Sequence, residues 1–130
     1  MREEDRKSMI AHHREKSLHI LNQAHQMMDL GHWDLAVNRY YYACFHMIHA
    51  LFVSRGIVAH THGGTLSQLT LHFVKTGLLP LDYGGFFSRM VQLRQKADYN
   101  SVANITEQDA RDIVDMSCAL VEKVESLILN

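Results

Sequence analysis

An apolar stretch from Asn38 to Phe52, NRYYYACFHMIHALF, contains residues able to bind a charged ligand. On a helical wheel of about 100° per residue, Arg39 and His46 share one line and Tyr42 lies beside them. Apolar residues cover the rest of the wheel, which is typical of a buried helix. A buried guanidinium is costly unless it has a partner. The stretch therefore predicts a polar site inside a helical core.

A second apolar stripe supplies a second arginine. At helical spacing, Arg94 falls on the same face as Met90 and lies four residues before the carboxylate of Asp98. If the two stripes face each other, two guanidinium groups share one carboxylate, and their planar forks suit a phosphate as the missing anion. The alternative needs no ligand. In it, Arg94 pairs with Asp98, while Arg39 extends to an end of the bundle and His46 donates to a backbone carbonyl.

The elements that must position these residues have the pattern of helices. Apolar residues recur at spacings of three and four, there is one proline, and no segment alternates as a strand does. We expect an all-α fold, a compact antiparallel bundle of about five helices in a single domain over residues 1–130. The expected helices run from about Glu4 to Leu30, from a cap at Asp34 to Arg55, from Thr65 to Thr76, from Pro80 to about Tyr99, and from Thr106 onward. The apolar stripe expected on the first helix consists of Ile10, Leu18, Leu21, Ala24 and Met28.

Composition and charge limit the class of protein. With 130 residues, of which 47% are hydrophobic, the chain is long enough for one core and too short for two. Residues 35–97 include six basic residues and one acidic residue, whereas residues 98–130 include two basic and seven acidic ones. This asymmetry fits an anion-binding face, and equally an acidic solvated helix. No apolar run approaches the about 20 residues of a membrane span, and the N-terminus is charged, so we expect a reduced, cytoplasmic protein.

Five successive motifs resemble the HEPN superfamily, specifically its stand-alone branch that is often encoded beside minimal nucleotidyltransferases. In chain order they are RYYYACFH, LFVSRGI, HTHGG, HFVKTGLL and LRQKADY. The resemblance implies an antiparallel helical bundle that commonly dimerises. It also implies one of two roles, either a metal-independent RNase toxin or a nucleotide- or RNA-binding module paired with a nucleotidyltransferase.

The catalytic motif of the RNase members is incomplete in this chain. In those members, an arginine is followed after four to six residues by a histidine that acts as acid or base. Arg94 matches the arginine, but residues 99–101 are tyrosine, asparagine and serine. The resemblance therefore favours a binding module over an enzyme. If the chain is an RNase, His46 from the neighbouring helix or His62 from a loop is the substitute.

We expect an anion-binding module for a nucleotide or an RNA phosphate, acting with a minimal nucleotidyltransferase in a toxin–antitoxin or nucleotide-handling system. Arg39 and Arg94 are expected to bind phosphate. His46 and Tyr42 are expected to orient it or to stack on a base, and Asp98 to hold Arg94. The expected ligand-binding residues are Arg39, Tyr42, His46, His62, Arg94, Asp98 and Tyr99.

Two other functions remain open on the sequence. As a metal-independent endoribonuclease, the chain would use Arg94 to stabilise charge and His46 as acid or base. As a non-catalytic interaction protein, it would use the polar residues to set the register of helices at a dimer interface. A homodimer is expected, and no cofactor or metal is expected in either case.

Overall fold

The computed structural model describes residues 1–99 and 105–129. Within these ranges the chain forms α-helices joined by short turns, and the described residues contain no strand. The helices are α1 (Glu3–Asp29), α2 (Trp33–Arg55), α3 (His62–Leu69), α4 (Leu81–Tyr99), α5 (Glu107–Arg111) and α6 (Val114–Leu129). A π-helical turn, Thr70–Val74, continues α3. The expected all-α bundle is confirmed.

Helix α2 lies at the centre and contacts α1, α4, α5 and α6. Helix α1 is antiparallel to it, since Arg6 donates to the Val53 carbonyl at 2.8 Å at one end and Arg39 donates to Gln23 at 3.4 Å at the other. Helix α4 is also antiparallel to α2, since Asn38 donates to Asp98 and, farther along α2, the Tyr41 ring stacks on that of Phe87. Helix α6 runs in the same direction as α2, as the contact of Arg55 with the Leu127 carbonyl and that of Cys44 with the Ser117 carbonyl require.

Small residues allow α1 and α2 to pack closely. Ser17 and Ala24 of α1, and Ala43 and Ala50 of α2, are fully buried. The Ser17 hydroxyl donates to the Ala43 carbonyl at 2.6 Å across the two helices. This close approach brings polar side chains of α1 beside the polar stripe of α2.

Several helix ends match the predicted signals. Gly31 and Gly56, with φ of 77° and 69°, adopt the left-handed conformation that ends α1 and α2. Thr106 and Asp109 form a capping box at the start of α5. The helix expected from Thr106 onward is interrupted after five residues and continues as α6.

Other predicted details were wrong. Leu18 is 45% exposed, because at about 100° per residue it points about 160° away from the buried Ile20. Asp34 lies in the first turn of α2 rather than capping it. Its carboxylate there interacts favourably with the positive end of the helix dipole. Helix α3 begins at His62, because the Thr61 hydroxyl accepts from the backbone of Gly64 at 2.8 Å and so caps the helix earlier than predicted.

The expected start at Pro80 is displaced by one residue. Helix α4 begins at Leu81, and the Pro80 carbonyl accepts from the Tyr83 backbone at 3.1 Å. No helix in the described ranges combines the length and apolarity needed to span a bilayer.

The close packing of α1 on α2 can be tested by adding volume to it. Ala43→Leu is expected to lower the free energy of unfolding by about 2 kcal/mol, because the added carbons have no space against α1. Ala11→Leu, the same change at an exposed position of α1, is expected to change it by less than about 0.5 kcal/mol. Urea unfolding followed by circular dichroism measures both. Equal midpoints for the two variants would contradict the close packing.

Candidate functional site

The guanidinium of Arg94 is buried among aromatic rings. The side chain is 4% exposed, and its Cζ atom lies 5.2 Å from the centroid of Tyr41, 5.9 Å from that of Tyr42 and 5.6 Å from that of Tyr99. These distances fall within the range of cation–π attraction. The aromatic residues of α2 thus replace most of the water that a charged group would otherwise keep.

One carboxylate connects Arg94 to α2. Asp98 Oδ2 lies 3.5 Å from Arg94 Nη1, and both Asp98 oxygens accept from Asn38 Nδ2, at 3.0 and 3.2 Å. The Asn38 Oδ1 atom in turn accepts from Arg39 Nε at 3.0 Å and from Arg39 Nη2 at 2.8 Å. The two arginines are therefore joined through Asp98 and Asn38. We call these four residues the arginine cluster.

Arg39 contributes the surplus charge of this cluster. Its guanidinium contacts the amide oxygens of Asn38 and Gln23, and its Cζ atom lies 5.6 Å from the centroid of Tyr42. Among the residues that the structure describes, no carboxylate forms an ion pair with Arg39, whereas Arg94 has Asp98. The cluster thus holds two permanent positive charges and one carboxylate.

His62 reaches the cluster through Tyr41. The Tyr41 hydroxyl and His62 Nδ1 form a short hydrogen bond, and the Tyr41 ring packs under Arg94. Burial, and then the charge of Arg94, lower the pKa of His62. Burial also raises the pKa of Tyr41. At neutral pH the pair is a neutral imidazole held by a protonated phenol, next to a guanidinium.

His46 lies in a different environment. Its Nδ1 atom is 3.1 Å from Nδ1 of His13, and the two rings stack with centroids 5.4 Å apart. The ring of His49 lies 6.0 Å from that of His13, and His49 Nε2 is 3.1 Å from the Thr65 hydroxyl. We call His13, His46 and His49 the histidine cluster. The His46 ring lies 6.5 Å from that of Tyr42, which packs against both arginines.

The histidine cluster is held neutral. Burial, followed by the charges of His13 and Lys16, lowers the pKa of His46 to about 4. Burial, followed by His13, also lowers the pKa of His49 to about 4. Burial and the neighbouring His12 and Lys16 lower the pKa of His13 as well. Neutral imidazoles can pack between α1 and α2 without a counter-charge.

The structure thus divides the residues expected from the sequence into two groups. Five of them meet around the two guanidinium groups: Arg39, Tyr42, Arg94, Asp98 and Tyr99. His62 joins this group indirectly, whereas His46 belongs to the histidine cluster. Sequence reasoning missed the bridging Asn38 and the supporting Tyr41, although both lie within one helical turn of Tyr42 on the quoted stretch.

The histidine cluster predicts acid sensitivity. The folded-state pKa of His46, about 4, is below the ordinary histidine value of 6.5, so the unfolded chain binds the proton more tightly. The stabilisation from the neutral imidazole is complete above pH 6.5 and is lost as the pH falls towards 4. After allowance for solvent screening of a partly exposed ring, this loss is about 1 kcal/mol between pH 7 and pH 5. His46→Phe is expected to reduce the pH dependence of the free energy of unfolding by that amount, as measured by urea unfolding at the two pH values.

A control separates titration from packing. Met47→Leu, at the next position, changes the core but removes no titratable group, so it is expected to shift the midpoint equally at both pH values. A His46→Phe variant with the same pH dependence as the wild type would show that this imidazole is not held neutral by the fold.

Comparison with known proteins places these residues within a recognised domain. A family model described as HEPN domain matches residues 10–127. The UPF0332 protein of Thermotoga maritima is 28% identical over 124 residues, covering 95% of this chain and 94% of that protein. Two proteins of Methanocaldococcus jannaschii bear the name "putative toxin". One is 24% identical over 116 residues, covering 89% of this chain and 79% of its own. The other is 31% identical over 93 residues, covering 72% of this chain and 69% of that protein.

Proposed function

The chain belongs to the HEPN domain family, and on that premise we propose that it is an anion-binding module for the phosphate of a nucleotide or an RNA. The arginine cluster is the binding site, with Tyr42 as its aromatic wall and Tyr99 against the Arg94 guanidinium. Arg39 and Arg94 provide the positive charge, and Asp98 keeps Arg94 in place. His62 lies at the rim through its bond to Tyr41.

The charge balance at Arg39 carries this proposal. A guanidinium whose acceptors are the neutral oxygens of Asn38 and Gln23 gains more from an anion than one already paired with a carboxylate. The link through Asn38 and Asp98 holds Arg94 at a fixed distance from Arg39. A site with permanent charge and limited side-chain freedom loses less entropy on binding. Guanidinium groups are also the preferred partners of phosphate oxygens.

We further propose that the module forms a homodimer and acts with a minimal nucleotidyltransferase. The ordered motifs from RYYYACFH to LRQKADY support this proposal. The relatives named as toxins support it as well, since a toxin requires a partner that neutralises it. A nucleotidyltransferase handles ligands of the same chemistry as the proposed site. Co-expression of the chain with such an enzyme, followed by affinity purification and mass determination of the complex, tests this partnership.

Binding of nucleotides is expected to depend on Arg39. Titration calorimetry of the purified chain with AMP, ATP and a short single-stranded RNA is expected to give heat with at least one of them. Arg39→Gln is expected to weaken that binding by about tenfold, because a charge-assisted hydrogen bond to phosphate is lost. The affinity of the wild type is expected to fall with rising salt.

A matched control uses the same change of charge elsewhere. Arg89 of α4 is exposed and lines a cavity with Lys96 and Asp109 rather than the arginine cluster, so Arg89→Gln is expected to bind like the wild type. No heat with any of the three ligands would reject the binding module. If, in addition, size-exclusion with light scattering finds a dimer that Arg39→Ala disrupts, the non-catalytic interaction protein becomes the better description.

One observation favours endoribonuclease activity as a second candidate. His62 is the imidazole connected to Arg94, through Tyr41, and its pKa is lowered by burial and by Arg94. The bond from Tyr41 occupies Nδ1, which leaves Nε2 to exchange a proton with a ribose hydroxyl. His46, the substitute expected from the sequence, has its Nδ1 against His13. In this candidate His62 is therefore the acid or base.

RNA cleavage separates the two candidate histidines. If the chain is an RNase, it cleaves labelled RNA in EDTA, and His62→Ala lowers the rate by about a hundredfold or more, as expected for loss of a general acid or base. His46→Ala is expected to cleave like the wild type. Loss of cleavage in His46→Ala but not in His62→Ala would reject this assignment, and absence of cleavage by the wild type would leave the binding module.

A further inference from the structure

The charged group of Arg94 is closed off from solvent. Its side chain is 4% exposed, and its Nε–H is buried without an acceptor among the residues that the structure describes. Among the described residues, three aromatic rings and one carboxylate surround it. An anion arriving from solvent therefore cannot contact this guanidinium until a covering group moves.

The covering groups differ in how firmly they are held. Tyr41 is fully buried, its ring stacks on Phe87 and its hydroxyl bonds to His62, so its displacement would disrupt the core. Tyr42 packs against Tyr41 and Phe45 on α2. Tyr99 is 76% exposed although its ring lies 5.6 Å from the Arg94 Cζ atom. Asp98 is held by two hydrogen bonds from Asn38. Among the described groups around Arg94, Tyr99 is therefore the one whose rotation disturbs the fewest contacts.

We propose that Tyr99 is an exchangeable cover of the Arg94 guanidinium, whose ring leaves when a ligand binds and is replaced by the planar base of that ligand. The inference rests on the proposed function for the identity of the ligand, but not for the cover itself. A base can restore the cation–π contact that is lost with Tyr99. Inorganic phosphate cannot, so the exchange favours anions that carry an aromatic ring, namely nucleotides.

Tyr99 could instead serve as a stacking platform, and removing its ring would then change the nucleotide affinity in the opposite direction. If Tyr99 were a platform on which the base stacks, its removal would weaken nucleotide binding. If it is a cover, its removal abolishes the competition for Arg94 and strengthens binding. The ratio between nucleotide and ribose phosphate affinities is set by the base and is expected to stay similar in both proteins. The direction of the change therefore distinguishes the two roles.

Accessibility of Arg94 can be measured without any ligand. Phenylglyoxal modifies exposed guanidinium groups, and peptide mapping by mass spectrometry gives the rate at each arginine. In the wild type, Arg94 is expected to react more slowly than Arg89. Tyr99→Ala is expected to accelerate modification of Arg94 by about fivefold or more, the factor that corresponds to loss of one cation–π contact.

Two variants serve as controls for labelling. Tyr99→Phe keeps the ring and is expected to retain most of the protection. Leu81→Ala removes another exposed side chain of the same helix, 80% exposed, and is expected to leave the rate at Arg94 unchanged. Rapid modification of Arg94 in the wild type, or equal rates in the wild type and Tyr99→Ala, would overturn the cover. Unfolding of Tyr99→Ala would be recognised by faster modification of the buried Cys44 thiol in a parallel labelling with N-ethylmaleimide.

Ligand titrations complete the test. AMP and ribose 5-phosphate are expected to bind Tyr99→Ala about fivefold more tightly than the wild type, because neither has to displace the tyrosine ring from Arg94. Weaker binding of AMP by Tyr99→Ala would replace the cover with a platform. If neither probe binds either protein, the proposed function fails, whereas the labelling rates still decide whether Tyr99 covers Arg94.

Discussion

Burial of a guanidinium that cannot lose its proton is the constraint on which the site depends. Because Arg94 keeps its charge at any pH at which the protein folds, the bundle must surround it with groups that stabilise a cation in place of water. Aromatic faces from α2, the ring of Tyr99 and the carboxylate of Asp98 do so. The same requirement orients α4, since only one face of that helix can carry an arginine into the core.

Three consecutive tyrosines, Tyr40 to Tyr42, allow α2 to stabilise the buried charge of Arg94 while also packing against other helices. Successive residues on a helix point about 100° apart, so each ring meets a different neighbour. Tyr40 bonds through its hydroxyl to His25 of α1 at 2.6 Å. Tyr41 supports Arg94 and holds His62 at the start of α3. Tyr42 lies against both arginines. One helical turn thereby joins α1, α3 and α4 around the site.

The polar residues of α2 belong to two groups, one with permanent charge and one whose charge depends on pH. The arginine cluster has permanent charge, which favours an anion regardless of pH. The histidine cluster has charge only when protonated, and burial together with Lys16 keeps His46 neutral at pH 7. Neutral rings can fill the interface between α1 and α2, whereas imidazolium groups there would repel each other. The interface near the site is therefore stable at neutral pH, and the site itself remains positive.

Helical periodicity is local, and the sequence alone determined it, together with the capping signals at Gly31, Gly56 and Thr106. The apolar spacing predicted the helices, the glycines marked their ends, and the stripes identified Arg39 and Arg94 as charges in apolar surroundings. Local pattern also placed Asp98 one turn from Arg94. It could not determine which rotation and which axial position each helix would take against another, because these depend on the packing of side chains from distant parts of the chain. Only the tertiary structure therefore placed Asn38 between the two arginines, gave His46 a partner from α1 and brought His62 to the cluster.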